Sequence, residues 1–243
     1  MNAPFYRWRE HLAVDLPRAR AVFTTRRGGV SEGPYAELNL GRLTDDADEA
    51  VTRNRELLRE QLGVSLAHIR QVHGTVVRRV TTPPQPSPDF PEADGQATAL
   101  PRIGLTVLVA DCLPIALAGG GVVAMLHAGW RGLADGIVAK GVRAMHELGA
   151  ERRLAAAIGP GAGPCCYEVG DDVHAAFAHH SAAVHRGANL DLKLIAREQL
   201  ERAGVEVVAD AGLCTICAPR SLLYSHRRDG GVTGRQAGVA WLT

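Results

Sequence analysis

The sequence lacks an excess of charge of either sign. Its 27 lysine and arginine residues are balanced by 26 aspartate and glutamate residues, giving a formal net charge of +1. Proteins that bind nucleic acid or anionic membrane surfaces need a basic patch or stripe, and this balance gives no basis for one. We therefore expect neither nucleic acid nor a membrane as a partner.

Features of secretion and membrane insertion are also missing. The opening segment MNAPFYRWREHLAVDL carries charges where a signal peptide needs an apolar core. Polar residues, proline and glycine interrupt the most apolar stretch, residues 107–132, which therefore predicts buried strands rather than a membrane span. The odd count of 5 cysteines in 243 residues indicates a reducing, cytoplasmic compartment rather than a disulfide framework. Neither a GxGxxG nor a GxxxxGK[ST] loop is present, which excludes the commonest dinucleotide and P-loop sites.

Residues 107–132, VLVADCLPIALAGGGVVAMLHAGWRG, form the segment around which we expect a functional site. Two apolar strands joined by a glycine turn each carry one metal-capable side chain, Cys112 and His127. If Gly119-Gly120 forms the turn, these two residues oppose each other directly, with Cβ atoms about 4.5–5.5 Å apart. The pattern predicts two corners of an active site.

His73 is the third candidate, because it interrupts another strand-like pattern beside a glycine. Two imidazoles and one thiolate, with the fourth position open, are a known catalytic zinc arrangement. The spacings fit no compact zinc finger, so the site would be assembled from separate strands. For either histidine alone, a buried and hydrogen-bonded structural role is the alternative. Cys112 with His127 as its base would also suit a metal-free cysteine hydrolase.

Other patterns predict supporting structure. Asp46 is expected to cap a helix over residues 47–62 that ends at Gly63, and residues 133–148 predict a second helix. The proline-rich segment 81–91 is expected to be a loop rather than a linker between domains. Cys214-x-x-Cys217 has no second pair, and we interpret it as structural, with Cys165-Cys166 buried rather than reactive.

A co-linear set of short motifs covers nearly the whole chain. The motifs are TRRGGVS (25–31), LNLG (38–41), QVHG (71–74), ADCLP (110–114), HAGWRG (127–132), IGP (158–160), YEVG (167–170), RRDG (227–230) and TGR (233–235). Together they resemble the laccase-domain family, whose members are named multicopper polyphenol oxidoreductases and are also described as purine nucleoside phosphorylases. Two motifs depart from the family pattern, with His226 in SHRRD and Gln236 in TGRQ.

The resemblance implies an α+β fold: a single domain over residues 1–243, built as a layered sandwich of mixed β-sheets flanked by helices, as in cysteine hydrolases. It also implies a zinc site on His73, Cys112 and His127. The implied activity is phosphorolysis of adenosine, inosine and methylthioadenosine, with adenosine deamination alongside. Related bacterial proteins are linked to the editing of peptidoglycan precursors.

The favoured hypothesis is therefore a zinc-dependent purine nucleoside phosphorylase whose partners are purine nucleosides and inorganic phosphate. Arg26 and Arg228 are the candidates for phosphate, because a guanidinium fork holds phosphate oxygens in pairs. Asn39 would bind ribose or base. Asp111 would either move a proton or orient a ligand histidine, and the sequence leaves both open.

Three alternatives remain. A copper-dependent polyphenol oxidase has the right ligand types, with Met125 as an axial candidate, but no H-x-H pair is present to build a trinuclear cluster. A metal-free Cys-His hydrolase acting in peptidoglycan precursor editing is the second, and a non-catalytic binding protein is the third. The sequence leaves the oligomeric state open, and a monomer is compatible with it.

Overall fold

The computed structural model describes residues 3–85, 87, 89–151 and 153–243. Its helices are α1 (Asp48–Leu62), α2 (Trp130–Ala134), α3 (Ile137–Glu147), α4 (Asp171–Ala176) and α5 (Leu192–Arg202). Its strands are β1 (Tyr6–Trp8), β2 (His11–Leu16), β3 (Ala19–Phe23), β4 (Ser65–Ala67), β5 (Val77–Arg79), β6 (Gly95–Thr98), β7 (Ile103–Val109), β8 (Leu113–Gly119), β9 (Val122–Ala128), β10 (Leu154–Ile158), β11 (His185–Arg186), β12 (Asn189–Leu190), β13 (Val205–Asp210) and β14 (Gln236–Leu242).

Two mixed β-sheets form the centre of the fold. One has the strand order β1-β2-β3-β14-β7-β4 and the other the order β13-β10-β8-β9-β6-β5. Most neighbours are antiparallel, while β4 with β7, β5 with β6 and β10 with β13 are parallel. The sheets and their flanking helices confirm the predicted α+β class of mixed sheets.

The sheets pack face to face because their strands present apolar side chains on both sides. Phe23 and Val107 of the first sheet share a buried core with Met125 and Ala157 of the second. The outer face of the first sheet packs against α1, and the outer face of the second packs against α3 and α5. The layers therefore run helix, sheet, sheet, helix, with the core between and outside the two sheets.

Helix α1 ends as predicted but begins differently. Gly63 terminates it in the left-handed region, with φ +65°. The predicted cap was wrong: Ala47 is the N-cap residue, and no side chain caps the helix. The Asp46 carboxylate instead accepts hydrogen bonds from Ser31 and Asn39, which tie the helix start to the preceding loop.

The predicted helix over 133–148 is two helices. Gly136 adopts φ +85° and separates α2 from α3. The proline-rich segment contains neither helix nor strand at residues 81–85, 87 and 89–91, and Pro86 and Pro88 lie outside the described residues.

The register predicted for the β8–β9 hairpin was wrong by two residues. Gly120 and Gly121 form the turn, with φ +56° and +77°, so Pro114 rather than Cys112 opposes His127. A shift of two residues preserves which face each side chain occupies, because side chains alternate with a period of two. Cys112, immediately before β8, and His127 are therefore diagonal neighbours on one face.

A candidate metal centre

The structure brings the three predicted ligands together. One ligand atom from each of His73, Cys112 and His127 lies within 4.8 Å of the other two. His127 belongs to β9 and is buried, Cys112 is partly buried at the start of β8, and His73 is exposed on the loop before β5. The site thus has two inner ligands on one hairpin and one outer ligand at the surface.

Asp94 orients the buried ligand His127. Its Oδ1 lies 2.8 Å from Nδ1 of His127, and its side chain is fully buried. The carboxylate accepts a hydrogen bond from the Nδ1–H group. This fixes the tautomer of His127 in which Nε2 is free to bind a metal. Sequence reasoning missed this residue because Ala93-Asp94-Gly95 has the composition of a turn.

The same carboxylate shapes the loop that carries His73. It accepts hydrogen bonds from the backbone N–H groups of Val72, His73 and Gly74, at 3.2, 2.9 and 2.7 Å. These three bonds hold His73 at φ +61°, a conformation that costs a non-glycine residue about 1–3 kcal/mol. Asp94 therefore supports two of the three ligands.

Asp111 supports the third ligand, Cys112, through the backbone. It adopts φ +96°, and its two carboxylate oxygens accept hydrogen bonds from the Thr215 hydroxyl at 2.6 Å and the Arg227 N–H at 2.7 Å. Of the two roles considered for Asp111, orienting a ligand histidine falls to Asp94 instead.

Gly129 leaves room for the site. A Cβ atom at this position would lie 2.9 Å from Sγ of Cys112 and 3.4 Å from Cδ2 of His73. The first distance is shorter than ordinary van der Waals contact, so a side chain here would displace the thiolate.

Buried charges favour a thiolate and an imidazolium within the centre. Burial disfavours charge on Cys112, but His127 and His73 overcome it and lower the pKa of the thiol to about 6. Burial likewise opposes charge on His127, yet the Cys112 thiolate and Asp94 raise the pKa of the imidazole to about 9. A thiolate available at neutral pH is the form that binds a metal or acts as a nucleophile.

We predict that Cys112 of the chelator-treated protein stays reactive to about pH 6. Its lowered pKa keeps the thiolate populated as the pH falls, whereas an ordinary thiol loses it below about pH 8.5. Site-resolved mass spectrometry after iodoacetamide pulses at pH 5–9 measures the midpoint for Cys112. In a His127→Gln variant the midpoint should rise. A wild-type midpoint near 8.5 would contradict the ion pair.

A cavity of about 770 Å³ opens in front of the metal centre. All three candidate ligands and Asp111 line it, and Trp130, Tyr167 and Phe90 add aromatic surface. Typical small-molecule sites occupy about 300–1,000 Å³ and combine apolar walls with a few polar groups. The dimensions and lining therefore suit a ligand of nucleoside size.

Positive charge without a carboxylate partner lies in the wall of this cavity. Nη1 of Arg55 is buried and has no hydrogen-bond partner among the described residues, while its Nε donates to the Leu40 carbonyl at 2.8 Å. Burial and the neighbouring Arg42 lower the pKa of Arg55 to about 10. Both guanidinium groups lie over the Phe90 ring. An anion would satisfy Nη1 and relieve the repulsion.

Three predicted substrate-binding residues lie outside the lining of this cavity. Arg26 donates to the carbonyls of Ala36, Pro34 and Arg220. Asn39 is fully buried, and its amide binds neighbouring loop groups, among them the Arg235 N–H at 2.8 Å.

The guanidinium of Arg228 binds Asp229 and the carbonyls of Thr215, Ala218 and Leu223. These contacts hold loops in place around the cavity. Substrate binding by Arg26, Asn39 and Arg228 stays a prediction.

None of the helices in the described part of the chain combines the length and apolarity that a membrane crossing requires.

Similarity to known proteins extends over most of the chain. The profile of the family described as multi-copper polyphenol oxidoreductase laccase matches residues 20–243. A purine nucleoside phosphorylase of Xylella fastidiosa is 42% identical over 246 aligned residues, covering 93% of this chain and 93% of that protein. A purine nucleoside phosphorylase of Streptomyces coelicolor is also 42% identical and covers 90% of this chain and 94% of its own length.

A solved structure shares the fold. The crystal structure of the hypothetical protein YfiH from Bacillus licheniformis matches with a TM-score of 0.89 and 30% sequence identity, covering 100% of both chains. The structural similarity thus extends over the full length of both chains.

Proposed function

This chain belongs to the multi-copper polyphenol oxidoreductase laccase family, and on that premise we propose that it is a zinc-dependent purine nucleoside phosphorylase. The observation that carries the proposal is the convergence of His73, Cys112 and His127 at a cavity whose wall holds an unpaired guanidinium. The relatives named purine nucleoside phosphorylase supply the reaction class.

The donor set fits zinc. Two imidazoles and one thiolate with an open fourth position match catalytic zinc sites, and His127 has the carboxylate partner that such ligands carry. When bound, zinc supplies Lewis acidity and lowers the pKa of a water molecule to about 7, which suits adenosine deamination as a side reaction. Copper is the less favoured metal, because the sequence has no H-x-H pair for a trinuclear cluster.

The chain's own residues would position the two substrates. Phosphate is an anion whose oxygens match the donors of Arg55 and Arg42, so we assign it to that wall. The aromatic rings of Trp130 and Tyr167 offer surfaces for a purine. Held in this way, phosphate and the anomeric carbon meet in a confined volume, and the purine leaves as the new C–O bond forms.

Asp111 is better suited to positioning than to proton transfer. Both of its oxygens accept hydrogen bonds, from the Thr215 hydroxyl and the Arg227 backbone N–H, and these bonds fix the carboxylate in place. We propose that it holds the Cys112 backbone and does not exchange a proton with the nucleoside.

Phosphate-dependent release of purine base tests the proposed function. We expect turnover of adenosine, inosine and methylthioadenosine to require phosphate and to stop after treatment with a chelator, with recovery on adding zinc. Chromatography of base and ribose 1-phosphate measures the reaction. Base release that does not depend on phosphate, or that survives complete metal removal, would contradict it.

An Arg55→Gln variant extends the same assay to the phosphate site. Loss of the unpaired donor should raise the KM for phosphate by about tenfold, because a charged hydrogen bond contributes roughly 1.5–3 kcal/mol. The KM for nucleoside should change less. An Arg53→Gln variant, altered two residues away on the exposed face of α1, is the control and should keep wild-type constants.

The second candidate is a metal-free cysteine hydrolase, as peptidoglycan precursor editing would use. The observation favouring it is that Cys112, His127 and Asp94 form a thiolate, imidazolium and carboxylate sequence typical of nucleophilic catalysis. Hydrolysis of muropeptide precursors by chelator-treated protein, abolished by alkylation of Cys112, would favour this reaction instead.

A further inference from the structure

A second group of metal-capable side chains lies on two loops, one of which contacts Asp111 through Thr215. The Sγ atoms of Cys165, Cys166, Cys214 and Cys217 all lie within 4.8 Å of one another. They belong to two loops, one following β10 and the other following β13, and the parallel pairing of those strands brings the loops together. All four cysteines are free thiols, and Cys165 is exposed rather than buried as predicted.

The spacing of the sulfurs suits one tetrahedral ion. Sγ of Cys165 lies 3.5 Å from Sγ of Cys217 and 3.5 Å from Sγ of Cys166. A tetrahedral zinc ion with Zn–S bonds of about 2.3 Å places its thiolates about 3.8 Å apart. Small side-chain rotations would bring the four sulfurs to that separation.

Backbone donors surround one of the sulfurs as they do in metal–thiolate sites. The Gly163 N–H donates to Sγ of Cys214 at 3.2 Å. The N–H groups of Ile216 and Cys217 in the Cys214-x-x-Cys217 turn are directed at the same sulfur. The turn thus presents its own amides to the first sulfur, as backbone donors do to a metal-bound thiolate.

The cluster is electrostatically incomplete without a cation. Four thiolates whose sulfurs lie within 4.8 Å of one another would repel one another strongly. A divalent ion removes that repulsion. Arg197 lines the cleft beside Cys165 and Cys214 and adds positive charge near the sulfurs, while Lys193 in the same cleft pairs with Asp210 at 3.1 Å.

We propose that Cys165, Cys166, Cys214 and Cys217 bind one zinc ion in a closed, structural site distinct from the His73–Cys112–His127 centre. Four thiolates fill the tetrahedron and leave no position for substrate, which is typical of structural zinc. The site joins the loop of residues 161–167 to the loop of residues 211–218.

This ion would stiffen one wall of the catalytic cavity. Thr215 lies between the two cysteines of the Cys214-x-x-Cys217 turn, and its hydroxyl binds the Asp111 carboxylate next to Cys112. Arg228 binds the carbonyls of Thr215 and Ala218 in the same turn. Tyr167 of the cavity wall follows Cys166 directly. A metal at the cysteine cluster therefore holds the elements that position Asp111 and Tyr167.

Zinc content of the full-length protein tests the proposal. We expect two zinc ions per chain in wild-type protein purified under reducing conditions, measured by plasma mass spectrometry and native mass spectrometry. A Cys112→Ser variant should keep one ion, held by the cluster. A Cys214→Ser/Cys217→Ser double variant should also fall to one ion, held by the His-Cys-His centre.

Cobalt substitution distinguishes the two sites without relying on activity or on the folding of the double variant. Cobalt-loaded Cys112→Ser protein should show the intense sulfur-to-cobalt charge-transfer absorption and d–d bands of a tetrahedral tetrathiolate. A metal-free Cys112→Ser protein with four titratable thiols, or with Cys165 and Cys217 joined as a disulfide, would overturn the proposal. Absence of phosphorolysis in the wild-type protein, together with one ion retained by Cys112→Ser, would instead reject only the proposed function.

Discussion

Replacing His127 with alanine is expected to remove the metal from the His-Cys-His centre and to lower kcat/KM for phosphorolysis by at least about 10³-fold. A metal centre contributes several kcal/mol of transition-state stabilisation, and each 1.4 kcal/mol is about a tenfold effect. His127 also neutralises the buried Asp94, whose side chain is 0% exposed. Removing one member of such a buried pair destabilises a protein by about 3–5 kcal/mol. Activity, zinc content and thermal unfolding measure the three effects.

A His146→Ala variant provides the matched control. His146 lies near the end of α3, where Nδ1 contacts the Ala150 carbonyl at 3.1 Å, and it does not line the cavity. This variant should keep its zinc and its kcat/KM. Full phosphorolysis by the His127→Ala protein with no bound metal would reject the metal-centred mechanism.

Changing Asp94 to asparagine should weaken zinc binding by about 10–100-fold, the usual cost of losing a carboxylate partner of a ligand histidine. Asparagine keeps the size of the side chain but loses its charge, and it can present an N–H to Nδ1 that selects the wrong tautomer of His127. It also weakens the acceptors for three backbone N–H groups around His73. Competition with a chromophoric chelator measures the dissociation constant.

An Asp111→Asn variant distinguishes the contribution of Asp111 to zinc affinity from that of Asp94. Asp111 contacts Thr215 and the Arg227 backbone and touches no ligand histidine, so its replacement should leave the zinc dissociation constant within about threefold of wild type. Equal weakening of zinc binding in both variants would show that loop stability, rather than orientation of His127, controls the affinity.

The three candidate ligands could be selected from the sequence because each interrupts an apolar strand pattern. His127 stood out because histidine is uncommon in a run of buried apolar residues, and Cys112 stood out because it shares the same glycine-turned hairpin. The hairpin register was not identifiable, because three consecutive glycines offer two turns that the local pattern does not distinguish. The structure selects the turn in which both glycines have positive φ.

Contacts between residues far apart in the sequence could not be predicted from a local sequence pattern. Asp94 and His127 are 33 residues apart, and only the pairing of β6 with β9 makes them neighbours. Cys165 and Cys217 are separated by 52 residues and meet through the pairing of β10 with β13. A charged residue in a turn motif, or a single Cys-x-x-Cys, carries no signal of the second strand that completes it.

The prediction of phosphate-binding arginines from the sequence met the same limit. The motif positions of Arg26 and Arg228 suggested phosphate contacts, yet their guanidinium groups bind backbone carbonyls. Arg55, in a helix that looked purely structural, has the unpaired donor. Arg55 differs from Arg26 and Arg228 in having a guanidinium donor without a hydrogen-bond partner. Only the folded chain determines which donors have partners.

The close approach of Gly129 to Cys112 limits which residues can occupy position 129 without disturbing the candidate metal centre. Every other amino acid carries a Cβ atom, so every substitution at this position meets the sulfur of Cys112 at 2.9 Å, whatever its polarity or size. A side chain at this position is therefore expected to shift Cys112 and to disturb the candidate metal centre, even when the new residue is as small as alanine.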